Sequence, residues 1–194
     1  MSLALTAPPP FVARRHTVAE VEALPDGERF ELVDGELVER EMALESVYTG
    51  GKIFRKFDEH CDANPIAVAL TDGASYTLRA GNDLQLRRPD VSVVLRARLP
   101  VGPIFGPRFE FAPDLAVEVV SRQDVYWDID EKIRDYLHAG TAVVWLARPA
   151  VRRIVVFRPD GSETSFGPAD EISAGPVLPE LKFRVADVFQ TPPR

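Results

Sequence analysis

Hydrophobic and polar positions along this chain change period several times, and each change marks an element. Thr17-Val-Ala-Glu20 is a capping box that opens a short helix, residues 17–24, ending before Pro25-Asp26-Gly27. Two apolar runs within residues 30–38 flank Asp34-Gly35, a pair that tolerates positive φ and so predicts a hairpin. Residues 44–61 carry Ile53, Phe54, Phe57 and Cys61 on one helical face, and Gly50-Gly51 weakens the first turns enough to mark the true start. Residues 66–70 and 75–78 flank Thr71-Asp72-Gly73-Ala74 and predict a second hairpin, with a turn at 82–85.

The middle of the chain is more regular. β-Branched residues after Pro89 predict a strand over 91–95, and the apolar run at 115–120, broken only by Glu118, predicts a strand buried on both faces. Between them a Pro/Gly-rich loop, 96–113, carries Phe105, Phe109 and Phe111; aromatics pinning the loop to the body or to a partner subunit are the plainer reading, a clamp on a substrate strand the sharper one. Ile129, Ile133, Tyr136 and Leu137 then repeat at helical spacing, closed by Gly140. Strands at 142–147 and 153–157, a turn at Pro159-Asp160-Gly161 and an apolar closing segment at 176–189 complete the pattern.

Composition narrows the class. At 194 residues the chain suits one domain, residues 17–190, between a flexible arm (1–16) and a short tail (191–194). The single Cys61 excludes an internal disulfide, and no Cys/His cluster suggests zinc. No apolar run is long enough for a membrane span, and the start lacks the basic, apolar pattern of a signal peptide, so a cytoplasmic protein is expected. The net charge of −7 argues against a protein that coats nucleic acid. Acid concentrates in residues 1–60 and 114–147, and carboxylate-rich stretches attract divalent cations.

Three residues in these elements carry candidate chemistry. A glutamate in the middle of a buried strand, such as Glu118, is costly unless paired, hydrogen-bonded or metal-bound. Asp90, beside a proline, is alone no more than a turn residue; two carboxylates on neighbouring strands point further, because hard cations prefer such oxygens. Lys132 falls at the edge of the helix stripe, on the Tyr136 side, where it can reach the sheet edge or simply snorkel to water. Glu31 in the first hairpin, Glu45 at a helix start and Ser121 after the Glu118 strand are possible supporting residues. Arg79, Arg87 and Arg88 cluster before the Asp90 strand; Arg88 is a candidate substrate-binding fork, whereas Arg87 is expected to balance acids.

Asp, an acid on the next strand, then a lysine resembles the PD-(D/E)XK nuclease signature. Val120 stands where the ordinary form has lysine, so the chain resembles the branch with lysine moved to the following helix. FELVDGELV, RRPDVSVV, PDLAVEVVS, DIDEKIRDYLHAG, VVWLARP and VVFRPDG, in that order across residues 17–190, are similar to the Uma-two family of restriction-endonuclease-like proteins. The resemblance implies an α/β fold: a restriction-endonuclease-like mixed central sheet flanked by helices, with an N-terminal β-hairpin. It implies phosphodiester hydrolysis of nucleic acid, DNA before RNA, with Mg²⁺ or Mn²⁺ held by Asp90, Glu118 and the Val119 carbonyl, and Lys132 orienting water or stabilising charge. It also implies a homodimer. A non-catalytic interaction protein on the same fold and a small-phosphoester hydrolase are the rival readings.

Overall fold

The computed structural model describes residues 14–40, 43–102, 106–121 and 124–190. The capping box at Thr17 is present, with Thr17 Oγ1 accepting the Glu20 N–H at 3.3 Å and Glu20 Oε2 accepting the Thr17 N–H at 2.9 Å. It starts helix α1 (Val18–Glu22), which buries Val18 and Val21 against Leu32 and Leu86. Strands β1 (Phe30–Val33) and β2 (Glu36–Glu39) pair antiparallel about Asp34 and Gly35, with φ of 48° and 85°. The expected arm lies outside the described residues up to position 13, and the tail 191–194 lies outside them too. The end of the arm is tied down: the His16 N–H donates to the Gly35 carbonyl at 2.7 Å, and Arg14 pairs with Glu20 at 2.8 Å.

Helix α2 (Leu44–Ala63) runs through Gly50 and Gly51, so the glycines do not mark its start. Tertiary burial outweighs their poor propensity, roughly 1 kcal/mol each. A Cβ on Gly50 would lie 3.8 Å from Val119 and 3.9 Å from Asp90 Cβ, so this turn rests directly on the sheet end that carries the candidate carboxylates.

Strands β3 (Ala67–Thr71), β4 (Val91–Leu95) and β5 (Leu115–Val119), helix α3 (Tyr126–His138), then β6 (Val143–Arg148), β7 (Arg153–Phe157) and β8 (Glu163–Phe166) build a six-stranded mixed sheet in the order β3-β4-β5-β6-β7-β8. Only β5 and β6 are parallel, with α3 as their crossover. A separate antiparallel pair joins β9 (Glu171–Ser173), just before the apolar closing segment, to β10 (Lys182–Arg184) within it. Alternation along β5 decides what each face holds. Leu115, Val117 and Val119 join Ile53 and Phe57 of α2 and Trp145 in one core, while Ala116 joins Ile133 and Tyr136 of α3, Val144 and Leu146 in the other. Glu118 shares the α3 side with Ala116.

The second hairpin does not form. β3 pairs with β4, and Tyr76 bridges to Arg87 and Phe109 instead. The tyrosine anchors this detour: its hydroxyl meets Ser92 Oγ at 2.7 Å and its ring stacks on Phe109 at 5.3 Å. Phe109 touches Phe111, and Arg98 lies 4.6 Å over the Phe111 ring, so these two aromatics pin the long loop to the body, the plainer of the two readings. Phe105 lies outside the described residues.

Candidate active site

Register brings the two acids together. Val91 of β4 faces Val117 of β5, so Asp90, one residue before β4, comes beside Glu118. The Val119 N–H donates to Asp90 Oδ2 at 2.7 Å and fixes that carboxylate across the strand boundary. From the other side α3 lays Lys132 and Tyr136, one turn apart, over the β5 face that carries Glu118. Tyr136 donates its hydroxyl to Glu118 Oε1 at 2.9 Å, and Lys132 Nζ stands 3.6 Å from Glu118 Oε2.

Glu31 of β1 enters the same cluster. It is fully buried and lies 3.2 Å from Lys132 Nζ. Its other oxygen accepts Arg87 Nη1 at 3.1 Å, and the Arg88 N–H donates to Oε1 at 2.9 Å. Arg87 also donates to Asp135 of α3 through Nε at 2.9 Å. Arg87 therefore balances acids, locking the hairpin to α3.

Glu31, Asp90, Glu118 and Lys132 line a cavity of about 170 Å³ with Arg40, Val119, Asp124 and Asp128. Asp90 keeps 26% of its side chain exposed, and it borders both this cavity and a second one against Ser46, Gly50 and Asp72. Burial pushes its carboxyl up to about 6, against the downward pull of the Val119 N–H, Lys132 and Arg40. Burial pushes Glu118 up to about 7; Asp90 and Glu31 add to the rise, while Lys132 and Tyr136 oppose it. Burial would raise Glu31 as well, but Lys132, Arg87 and the Arg88 N–H outweigh it and hold that carboxyl below its ordinary value. Lys132 loses hydration on burial, yet Glu118, Glu31 and Asp90 hold its ammonium charged, above the ordinary lysine range.

Among the described residues, no set of three or more His, Cys, Asp or Glu side chains is arranged as a metal cage. The donors at hand are two poorly hydrated carboxylates on adjacent strands, and any cation placed between them would lower both pKa values. That donor set fits Mg²⁺ or Mn²⁺, hard ions that take one or two carboxylates and keep several waters.

The remaining candidates divide. Arg88 is not among the residues lining this cavity: its guanidinium donates to the Phe30 carbonyl at 3.1 Å, to the Gly27 carbonyl at 3.4 Å and to Ser75 Oγ, so it ties β1 to the chain before β4. Glu45 is exposed on the first turn of α2 and is not among the cavity-lining residues. Ser121 stands just beyond β5, where its N–H donates to Asp124 Oδ2 at 2.6 Å. Two participants escaped the sequence reading. Tyr136 counted only as an apolar-face residue, although its spacing of four from Lys132 was a usable signal. Arg40 follows the hairpin with no pattern to single it out.

A mixed sheet with paired acids and a helix-borne lysine at one end is the arrangement that the resemblance to restriction-endonuclease-like proteins leads one to expect. A search of known families agrees: the Uma2 profile, described as "Putative restriction endonuclease", matches residues 18–186, and the chain belongs to that family. A crystal structure titled as that of "a putative nuclease belonging to DUF820" from Anabaena variabilis ATCC 29413 superimposes with a TM-score of 0.78 at 22% identity, over 89% of this chain and 97% of that one. At that identity the likeness establishes the fold. No curated protein sequence matches the chain.

Proposed function

We propose that this protein is a Mg²⁺- or Mn²⁺-dependent endonuclease that hydrolyses phosphodiester bonds of nucleic acid, DNA before RNA. The observation that carries the reading is the convergence of Asp90, Glu118 and Lys132, from two strands and a helix, on one cavity. Asp90 and Glu118 would hold the cation, helped by the Val119 carbonyl. When bound, the cation supplies Lewis acidity to the scissile phosphate and a nucleophile from water at neutral pH. The chain's own groups prepare for this. The Val119 N–H and the Tyr136 hydroxyl each occupy one carboxylate oxygen, which leaves Asp90 Oδ1 and Glu118 Oε2 to face ligands. Lys132, held charged between Glu31 and Glu118, orients the attacking water or meets charge developing on the phosphate. A homodimer acting in the cytoplasm belongs to the same reading, and light scattering of the purified chain would check the dimer.

Incubation of supercoiled plasmid with the protein and Mg²⁺ or Mn²⁺, beside Glu118→Ala and Lys132→Ala, tests the reading. Cutting by wild type alone is the expected result. No cutting, or equal cutting by all three, would move the assignment to a non-catalytic interaction protein on this fold.

A further inference from the structure

The cavity poses an electrostatic problem for a nuclease. Its lining carries six acids, Glu31, Glu39, Asp90, Glu118, Asp124 and Asp128, against two bases, Lys132 and Arg40. A phosphodiester approaching that wall meets net negative charge, and Lys132 is already held between two carboxylates. The neighbouring guanidiniums are also engaged: Arg87 by Glu31 and Asp135, Arg88 by Phe30, Gly27 and Ser75.

Arg40 differs. Its backbone N–H donates to the Arg29 carbonyl at 2.8 Å, so the hairpin fixes its position directly after β2. Its side chain is only 10% exposed, but its guanidinium contacts are long: 3.9 Å from Nη2 to Asp90 Oδ1 and 3.5 Å from Nη1 to the Asp72 carbonyl. A planar fork with five donors is poorly satisfied by two such contacts, the ones it makes among the described residues. It stands beside the carboxylate that would carry the cation, where a phosphate bridging cation and protein would need a second positive group.

Resting on the nuclease reading, we propose that Arg40 is the phosphate-binding side chain of this site, its guanidinium taking the non-bridging oxygens of the phosphodiester seated over Asp90. The arginine answers the acidic lining locally, so the chain needs no broad basic surface to hold its substrate at the point of attack. Guanidinium–phosphate recognition depends on the charge and the paired oxygens of the ligand, and an uncharged backbone of similar shape would not feel it.

The test compares a short DNA oligonucleotide with its fully methylphosphonate counterpart, which has a neutral backbone. Affinity is measured by fluorescence anisotropy in Ca²⁺ for wild type, Arg40→Met and Arg40→Lys, with the recovered DNA checked for integrity and each variant checked by thermal unfolding. Wild type should prefer the charged oligonucleotide. Arg40→Met should lose about 10- to 100-fold on that probe and nothing on the neutral one, with Arg40→Lys falling between. Should Arg40→Met not fold, the loss in Arg40→Lys, again confined to the charged probe, decides. Equal losses on both probes, no loss, or no preference in wild type would overturn the assignment. Plasmid cutting, run in parallel, separates the two readings. Arg40-dependent binding without cutting sinks the nuclease alone, and wild-type cutting with unchanged binding by Arg40→Met sinks only the role of Arg40.

Discussion

Lys132 lies nearer to Glu31, at 3.2 Å, than to Glu118, at 3.6 Å. The lysine of the candidate site is thus anchored by a strand of the N-terminal hairpin as firmly as by the strand it would serve. Glu31 also takes Arg87, so one fully buried carboxylate holds two cations from different elements. Removing one member of such a buried network leaves its partners charged and unmatched, which costs several kcal/mol.

Glu31→Gln is therefore expected to destabilise the fold by about 3–5 kcal/mol, measured by urea unfolding at pH 7. A loss under about 1 kcal/mol would mean that the network contributes little beyond surface ion pairs.

Glu118 predicts a pH dependence of the metal-free protein. Its folded pKa of about 7 lies above the ordinary value of 4.5, so between those values the folded state binds more protons than the unfolded state. Stability then falls as pH rises through this window, and Asp90, raised to about 6 from 3.8, adds to the slope. Glu118 alone contributes at most ~3 kcal/mol. Urea unfolding in chelator from pH 4.5 to 8 should show wild type losing stability and Glu118→Gln losing distinctly less, with the variant the more stable at pH 8. Parallel curves for the two proteins would contradict the burial argument.

Much of this site is legible from local pattern. Asp90 and Glu118 stand out because each interrupts or borders a β-branched run, and Lys132 because it sits at the rim of a helical stripe. Asp34-Gly35 and the Thr17 capping box name their own turns. What stays hidden depends on contacts distant in sequence. Arg88 reads as a free fork, yet its partners Gly27, Phe30 and Ser75 belong to segments that meet only in the fold. The 75–78 segment has hairpin chemistry beside it, but Tyr76 is engaged by Ser92 and Phe109, residues distant in sequence, and does not pair with β3. Arg40 carries no periodic signal, since its role depends on where the hairpin ends relative to Asp90.

Lys132 and a bound cation compete for the same Glu118 oxygen. Lys132→Met keeps much of the stem volume but removes the ammonium, leaving the acidic cavity more negative. Calorimetric titration with Mg²⁺ should find tighter binding by this variant than by wild type, while plasmid cutting falls by about 100-fold or more. Weaker metal binding with unchanged cutting would show that the lysine serves only the fold.

Tyr136→Phe isolates a single hydrogen bond. The ring stays in the α3 core, and only the hydroxyl that donates to Glu118 Oε1 at 2.9 Å is lost. That bond favours the ionised carboxylate, so its loss should move the Glu118 titration upward from about 7. Cation binding requires the carboxylate, and protons compete with metal at this oxygen pair. Mg²⁺ affinity measured from pH 6 to 9 should therefore reach its plateau at higher pH in the variant than in wild type, with the two converging at the alkaline end. The stability cost is expected to be about 1–3 kcal/mol, because a buried acceptor loses its donor. A uniform drop in affinity at every pH would instead mean that the tyrosine shapes the cavity without tuning the carboxylate.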